Sequence, residues 1–308
     1  MNTRKSQELK LIKIDEELFR NSLPQRKTDA HKGDFGRVLI FAGSCGMAGA
    51  AVLAGSAAVR SGAGLVRFLL PSFADPIYPV LQTCVPEATC ITPEGIGFYG
   101  RPEEDSEDPC HKLNEYTAIA AGSGLGGDPA RQNILRYLIR NYSGTLVLDA
   151  DALNAVASGA ISLDDITSSP ASLIFTPHIG EAKRLLHTAA SIRTEAERIT
   201  AAKEIAETYR CTALLKGPKT LVVSALLPES DPKIFENTTG NPGMAAGGSG
   251  DVLSGIIAAL AGQGLSPEIA AACGAFIHGK AGDIAASRFS QISMKAGDII
   301  ACLPNAFF

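Results

Sequence analysis

The sequence predicts an α/β fold in which a mostly parallel central sheet is covered by helices on both faces. Two observations carry this prediction. Short apolar segments alternate along the chain with segments of helical length, as in successive strand–helix–strand units. The helical segments are also rich in alanine and glycine, and small side chains allow a helix to lie close to a sheet.

The predicted elements follow one another in a regular order. Residues 37–42 form a predicted strand, 48–61 a helix and 64–70 the next strand,. The pattern recurs with strands at 117–121, 145–148 and 172–175, each followed by a predicted helix, at 129–140, 152–157 and 181–187. Two last strands flank KGPK and predict a hairpin, at 212–215 and 221–223,.

This pattern predicts one catalytic domain. The chain has 308 residues, enough for one large α/β domain. We place the domain at 31–308 and treat 1–30 as a charged lead-in with one amphipathic helix near 16–23. The acidic segment 97–112 is expected to be a surface insertion because strands are predicted on both sides of it; the sequence gives no role for it or for Cys45.

Composition excludes several classes of function. The net charge is −4 and the pI about 5.8, which disfavours nucleic acid and anionic membrane surfaces as partners. No apolar run approaches the roughly 18 residues of a membrane span, and the N-terminus lacks a signal-peptide core, so we expect a cytoplasmic protein. Seven cysteines without a C-x-x-C pair, and five scattered histidines, disfavour disulfides and zinc. Walker and G-x-S-x-G motifs are also absent,.

Six strand-to-helix junctions carry the polar and glycine-rich residues. In a parallel sheet the carboxyl ends of the strands meet at one edge, where ligands bind. We therefore expect these junctions to converge; they are 43–50, 122–127, 149–154, 176–181, 216–220 and 240–251.

The junction GSGLGG fits the pattern G-x-G-x-x-G through Gly122, Gly124 and Gly127. It follows a later strand rather than the first one, so a tight turn close to some ligand is favoured over a dinucleotide fingerprint. Asp149, at the end of the next predicted strand, keeps the dinucleotide fingerprint open. A turn with a purely structural role is the third alternative.

The segment GGSGD, which ends at Asp251, is the sharpest signal. Its glycines allow backbone N–H groups to face a ligand. An apolar helical pattern follows, and the free N–H groups and positive dipole end of a helix N-terminus suit phosphate. The alternative is that Asp251 only stabilises the helix, as an acid in the first turn does by a few tenths of a kcal/mol.

Three other polar residues stand at junctions and have structural alternatives. His178 and Glu181 open a predicted helix, where Glu181 could act as a capping residue instead of a functional one. Lys216 closes a strand and could contact a phosphate or be an exposed hairpin lysine.

Together, six motifs resemble the ADP-dependent NAD(P)H-hydrate dehydratases of the ribokinase-like superfamily. They occur in one order over roughly 30–300: KGDFGRVLIFAGSCGMAGAAVLAGSAAVRSGAGLV, GSGLG, LDADALN, TPHIGE, LKGPKT and NPGMAAGGSGDVLSG. The resemblance implies a three-layer α/β/α sandwich. It also implies dehydration of the (S)-hydrate of NADH or NADPH at the expense of ADP or ATP, by phosphorylation of the C6 hydroxyl and elimination of phosphate.

The resemblance also implies roles for residues. Asp251 matches the acid of the GTGD motif, in which this chain has Ser249 for the usual threonine, and it would orient and deprotonate the hydroxyl. An anion hole would be formed by the amides of Gly247, Gly248, Ser249 and Gly250. Gly250 also matches a nucleotide-binding position, as does the segment that holds AMP: Lys216, Gly217, Pro218, Lys219 and Thr220. The positions that match contacts to the hydrate are Gly49, Ala50, Gly124, His178 and Asp251. Glu181 matches an acid that holds Mg²⁺ through water.

The resemblance leaves other matters as expectations. Only about 30 residues precede the match, so we expect a separate NAD(P)H-hydrate epimerase as pathway partner. A homo-oligomer, possibly a tetramer, is expected, and the short architecture leans towards ADP. The alternative function is a ribokinase-like kinase of a small hydroxylated vitamin precursor, which would share the anion hole and Asp251 but fits 176–181 and 43–51 less well. A catalytically silent nucleotide-binding regulator would have lost the acid.

Overall fold

A single twisted sheet forms the centre of the molecule. The computed structural model describes residues 11–98, 111–224 and 233–308. Within these residues the strands are β1 (Leu11–Lys13), β2 (Arg37–Phe41), β3 (Leu65–Leu69), β4 (Thr89–Ile91), β5 (Ala118–Ala121), β6 (Thr145–Leu148), β7 (Ser172–Phe175), β8 (Thr212–Leu215), β9 (Thr220–Ser224) and β10 (Ile234–Asn237).

The sheet is mostly parallel, as predicted. Its order is β1-β10-β9-β8-β7-β6-β5-β2-β3-β4. In the described sheet β9 alone runs against the others, because it pairs antiparallel with both β8 and β10. The β8–β9 pairing is the hairpin predicted around KGPK.

Helices cover both faces of the sheet. In the described residues they are α1 (Glu16–Ser22), α2 (Ala48–Arg60), α3 (Tyr78–Cys84), α4 (His111–Asn114), α5 (Pro129–Asn141), α6 (Asp151–Ala157), α7 (Leu163–Thr167), α8 (Ile179–Leu185), α9 (Glu195–Tyr209), α10 (Ser249–Gly262), α11 (Pro267–Ser293) and α12 (Ala296–Ala306), with 3₁₀ turns at Lys32–Phe35, Pro93–Ile96 and Pro242–Met244. None of these helices combines the length and the apolar character needed to cross a membrane.

Two hydrophobic cores lie on opposite faces of the sheet. Along β2, Val38 and Ile40 belong to one core and Leu39 and Phe41 to the other. The first core is shared with α1, α2, α3, α10, α11 and α12, and the second with α4 to α9. Burial on both faces explains why the strands are continuously apolar, and this arrangement is the predicted three-layer sandwich.

Most sequence-predicted elements are confirmed to within two residues at each end, and the helix near 16–23 is α1. The strands β1, β4 and β10 were not predicted, nor were the helices α3, α4, α7, α9 and α12. β1 has three residues, too few to show a period, and pairs in parallel with β10. The division at residue 30 stays a prediction, and 99–110 of the predicted insertion lie outside the described residues.

Close packing of α10 on α2 fixes the helix that begins at the glycine-rich junction. A Cβ built on Gly255 of α10 would lie 2.1 Å from the Ala54 carbonyl oxygen of α2. A side chain at this position would push the two helices apart. The glycine therefore permits the contact that holds the N-terminus of α10 at the sheet edge.

We predict that Gly255→Ala lowers the free energy of unfolding by about 1–3 kcal/mol, the usual cost of overpacking a core. Urea denaturation measures this change. The matched control is Gly297→Ala in α12, where an added Cβ would meet only Lys295 Cε, at 3.9 Å. An unfolding midpoint for Gly255→Ala equal to that of the control would contradict the packing argument.

Candidate active site at the carboxyl edge of the sheet

The six predicted junctions lie at one edge of the sheet. They follow β2, β5, β6, β7, β8 and β10, and these strands share one direction. The convergence expected from the sequence is therefore confirmed, and side-chain contacts join several of the junctions.

A buried ion pair joins the ends of three neighbouring strands. Lys216, after β8, places its Nζ 2.7 Å from Asp149 Oδ1, after β6, and 3.9 Å from Glu181 Oε2, after β7. Ser254 of α10 donates a hydrogen bond to the other Asp149 oxygen, at 2.9 Å. Burial alone would lower the pKa of Lys216, but the negative charges of Asp149, Glu181 and Asp251 outweigh it and raise that pKa. Lys216 is therefore a charged residue of the site and not an exposed hairpin lysine.

His178 and Glu181 cap the start of α8. The His178 amide donates to Glu181 Oε2 at 2.8 Å, while His178 Nδ1 accepts from the amides of Gly180 and Glu181. The capping interpretation of Glu181 is thus correct, and its carboxylate also faces Lys216. Because Nδ1 is an acceptor, a neutral His178 carries its proton on Nε2, and its side chain is 54% exposed.

The N-terminus of α10 presents unbonded amides. Gly248 is its N-cap with φ 89°, a conformation that favours glycine. The Ser249 amide donates to the Ala246 carbonyl at 3.3 Å. Within the described ranges the amides of Gly247, Gly248, Gly250 and Asp251 have no acceptor at hydrogen-bond distance. Such amides provide an anion site, so three of the four predicted anion-hole amides are free to donate.

Asp251 lies in the first turn of α10, partly buried among other acids. Burial raises the pKa of its carboxyl group, and the charges of Asp149 and Asp151 act in the same direction. A hydrogen bond from Ser123 and the charge of Lys216 oppose the shift without cancelling it. A raised pKa is the property expected of a carboxylate that accepts a proton, whereas a mere helix-capping acid needs none.

Gly250 leaves open the space between the ion pair and α10. A Cβ at this position would lie 3.4 Å from Lys216 Nζ and 3.5 Å from Asp149 Oδ2. The missing side chain therefore leaves room beside the Lys216 ammonium and the Asp149 carboxylate, at a helix start where the Gly250 amide has no acceptor in the described ranges. The arrangement provides two donors for an anion next to an acid.

The junctions after β2 and β5 touch each other. A Cβ built on Gly124, where φ is 62°, would lie 2.9 Å from Ala50 Cβ, and Ser44 donates to the Gly124 carbonyl at 2.9 Å. Gly49 has open space where a side chain would be. The structure thus brings Ala50 and Gly124 together, and Ser123 connects this region with Asp251.

The predicted nucleotide segment forms the turn between β8 and β9. Gly217 and Lys219 have positive φ, at 149° and 55°, and the Thr220 hydroxyl donates to the Gly217 carbonyl at 3.1 Å. Arg198 of α9 donates to the carbonyls of Pro218 and Lys219. Lys216 therefore points into the acidic cluster, while Lys219 Nζ lies outside it, 3.8 Å from Glu195.

The sequence did not identify every residue of this site. Ser254, Ser123 and Arg198 were not singled out, and Asp149 was considered only as part of a junction and as an acid that would suit a dinucleotide fingerprint. Asp149 could have been found from its place directly after a buried strand, but the hydroxyls carry no such signal. In the part of the chain that the structure describes, no group of three or more His, Cys, Asp or Glu residues has the geometry of a metal site.

Known proteins resemble this chain over nearly its whole length. The family described as NAD(P)H-hydrate dehydratase matches residues 38–305. A bifunctional NAD(P)H-hydrate repair enzyme of Moorella thermoacetica is 42% identical over 286 residues, covering 92% of this chain and 52% of that protein. The chain spans about half the length of that relative.

Two further comparisons cover at least 82% of each chain. The ADP-dependent (S)-NAD(P)H-hydrate dehydratase of Neisseria meningitidis is 37% identical over 86% of this chain and 82% of its own. The ADP/ATP-dependent NAD(P)H-hydrate dehydratase of Bacillus subtilis, co-crystallised with ATP and Mg²⁺, has a TM-score of 0.75 at 28% identity and covers 95% and 96% of the two chains. Arabidopsis thaliana ribokinase, 11% identical with a TM-score of 0.53, shares the fold alone, which confirms the predicted ribokinase-like architecture.

We predict that Asp251→Asn raises the free energy of unfolding at neutral pH. The raised pKa means that the folded protein holds the proton more tightly than the unfolded chain, so ionisation of Asp251 costs stability. This cost is complete above the folded-state pKa and vanishes below the unfolded-state value of about 4. Urea denaturation of the mutant and wild type at pH 7.5 and near pH 4 tests this.

The control for this comparison is Asp164→Asn, an exposed acid in the first turn of α7. We expect it to leave stability nearly unchanged at both pH values. A mutant Asp251→Asn that is less stable than wild type at pH 7.5 would contradict the argument.

We predict that Lys216→Met lowers the free energy of unfolding by about 3–5 kcal/mol, because it leaves Asp149 and Glu181 buried without their counter-ion. Thermal and urea unfolding at neutral pH measure the loss. Lys27→Met, an exposed lysine, is the control and should stay within about 0.5 kcal/mol of wild type. Equal stability of the two mutants would show that the ion pair does not hold the three strand ends together.

Proposed function

Because this chain belongs to the NAD(P)H-hydrate dehydratase family, we propose that it dehydrates the (S)-hydrate of NADH or NADPH with ADP or ATP as co-substrate. The product is NADH or NADPH, so the activity repairs a damaged cofactor. The observation that carries the proposal is the position of Asp251, whose raised pKa and neighbouring free amides suit proton removal beside a transferring phosphoryl group,.

The reaction consists of two steps, phosphorylation of the C6 hydroxyl and elimination of phosphate. Asp251 takes the proton of the C6 hydroxyl as its oxygen attacks the terminal phosphorus of the nucleotide, and the bond to the leaving nucleotide oxygen breaks. With ADP the leaving product is AMP. The C6–O bond of the phosphorylated hydrate then breaks and phosphate leaves with the electron pair of that bond. The neighbouring ring carbon releases its proton to water, which restores the double bond.

The amides at the start of α10 would stabilise the charge that develops on the phosphoryl group. Those of Gly247, Gly248 and Gly250 are free to donate, and that of Ser249 would have to exchange its bond to Ala246. Lys216 adds a positive charge on the other side of Gly250. We assign to the segment from Lys216 to Thr220 the binding of the AMP part of the nucleotide, with Arg198 holding its carbonyls.

The hydrate would bind on the side of the site formed by the junctions after β2, β5 and β7. We assign contacts with it to Gly49, Ala50, Gly124, His178 and Asp251. Gly49 offers open space for a ligand, and the half-exposed His178 ring offers a surface for contact, with its Nε2 3.4 Å from Glu181 Oε1. These contacts would turn the C6 hydroxyl towards Asp251.

We propose that Mg²⁺ accompanies the nucleotide, because a polyphosphate would otherwise approach Asp149, Asp151, Glu181 and Asp251 with Lys216 as their counter-ion. The oxygens of Asp149 and Glu181 already have protein donors, namely Lys216, Ser254 and His178. Mg²⁺ therefore fits here through water and phosphate oxygens, with Glu181 as an indirect partner. When bound, it neutralises phosphate charge.

Other parts of the proposal come from the sequence alone. A separate epimerase as partner, the cytoplasm as location and a homo-oligomeric state remain predictions. The choice between ADP and ATP, and between the two hydrates, is left to the assay.

We predict that the protein restores absorbance at the reduced-nicotinamide band when hydrated NADPH or NADH is mixed with ADP or ATP and Mg²⁺. Asp251→Asn should bind nucleotide normally and lose at least about 100-fold in kcat, because a general base typically contributes 10²–10⁴-fold. The raised pKa also predicts that the acid limb of the wild-type kcat profile lies above that of an ordinary aspartate.

Asp164→Asn serves as the control and should keep wild-type turnover. Near-normal dehydration by Asp251→Asn would remove the proposed role of that residue. A wild-type protein without dehydration that phosphorylates a vitamin alcohol would overturn the proposed function in favour of the kinase.

A further inference from the structure

We infer that His278 is a positioning residue, which holds the first turn of α10 through Ser249 and thereby sets the direction of the Asp251 carboxylate. This inference rests on the proposed function, in which Asp251 accepts the proton. His278 lies in α11, outside all six junctions.

The contact is direct and buried. His278 Nε2 lies 3.3 Å from Ser249 Oγ, and both residues are 8% exposed. Ser249 is the first residue of α10 and stands two positions before Asp251. Its hydroxyl therefore points away from the open side of the loop and ties the helix start to α11.

The contact completes a series along one face of α11. Gly279 permits close approach, since a Cβ there would lie 2.1 Å from the Thr239 hydroxyl. The other hydrogen bonds between the loop and α11 are Asn237 Nδ2 to the Ala275 carbonyl at 3.1 Å, Thr239 Oγ1 to the Phe276 carbonyl at 2.9 Å, and two to Asp283, from the Gly240 amide at 2.9 Å and from Asn241 Nδ2 at 3.0 Å. Of these contacts, the one through His278 is the nearest along the chain to Asp251.

A neutral imidazole suits this position. Burial, together with the charge of Lys216, lowers the pKa of His278 to about 4, although a hydrogen bond with the Ser249 backbone opposes the shift. A neutral ring has one donor and one acceptor nitrogen, so it bonds a hydroxyl without adding a charge near Lys216. A carboxylate would add to the acids around Asp251, and a second ammonium would repel Lys216.

Ser249 and Asp251 lie in the same first turn of α10, so a change in the His278 contact should reach Asp251. Rotation or fraying of the first turn would move Asp251 and the Gly250 amide together. A misplacement of about 1 Å at reacting groups costs about 100-fold in rate. Loss of the His278 contact should therefore lower turnover more than it weakens nucleotide binding, which depends on the turn between β8 and β9.

The test compares His278→Gln, His278→Asn and His278→Leu. The Gln amide reaches the level of Nε2 and can bond Ser249, whereas the Asn amide ends at the level of Nδ1 and cannot. We expect His278→Asn and His278→Leu to lose about 10- to 100-fold in kcat, with KM for ADP within threefold of wild type, and His278→Gln to recover most of the loss. The matched control is Lys280→Gln, since Lys280 in α11 contacts Glu16 and Phe308 instead of the loop.

Hydrogen–deuterium exchange of the Ser249 and Val252 amides, which donate to the Ala246 and Gly248 carbonyls, gives a second readout that needs no activity. We expect faster exchange in His278→Asn than in His278→Gln or Lys280→Gln. Equal exchange and equal kcat in the Asn and Gln variants would overturn the inference. This comparison does not depend on whether His278→Leu folds. If the wild type shows no dehydration, the proposed function fails, and the exchange rates alone decide whether His278 holds the helix start.

Discussion

The ion pair between the mostly buried Lys216 and Asp149 is the interaction on which the site depends. Lys216 joins the ends of three neighbouring strands, because Asp149, Glu181 and Lys216 follow β6, β7 and β8. Ser254 extends the network to α10. Burial of an ion pair is compensated only when further hydrogen bonds satisfy its atoms, and here Ser254 and the His178 amide do so. The same charge that holds the strand ends together thus faces the place proposed for the phosphoryl group.

The surroundings of Asp251 show a conflict between stability and function. Its ionised carboxylate lies near Asp149 and Asp151, and burial raises its pKa. Such a carboxylate destabilises the folded protein, yet it is a better proton acceptor than an ordinary aspartate. The fold tolerates this cost because α10 is held from two sides, by α2 at Gly255 and by α11 at Ser249.

Both ends of the loop between β10 and α10 are bonded to α11, through different residues. Residues near the end of β10 bond to α11 through Asn237 and Thr239, and the end that carries the glycines bonds through Ser249. Gly247, two residues before the helix begins, has open space around it. The amides next to the helix start can therefore face a ligand, while Ser249 and the earlier part of the loop stay held on α11.

The sequence by itself determined how the main strands and helices alternate along the chain, that the sheet is mostly parallel, and which junctions lie at one edge. Apolar segments and glycines report these features locally, and parallel strands place their ends together. It also singled out Asp251 and Gly250 as candidate residues of the site, since a helix start after glycines has a recognisable pattern. β1 and α9 were missed because a strand of three residues and a helix with weak amphipathicity carry no clear period,.

Only the tertiary structure decided which side chains meet. Lys216 and Asp149 are 67 positions apart, Ser254 and Asp149 are 105 apart, and His278 and Ser249 are 29 apart. These pairs depend on the order of strands in the sheet and on the packing of α10 and α11, which local patterns do not specify. The raised pKa of Asp251 and the neutral state of His278 likewise arise from burial among particular neighbours, and burial is a property of the folded chain.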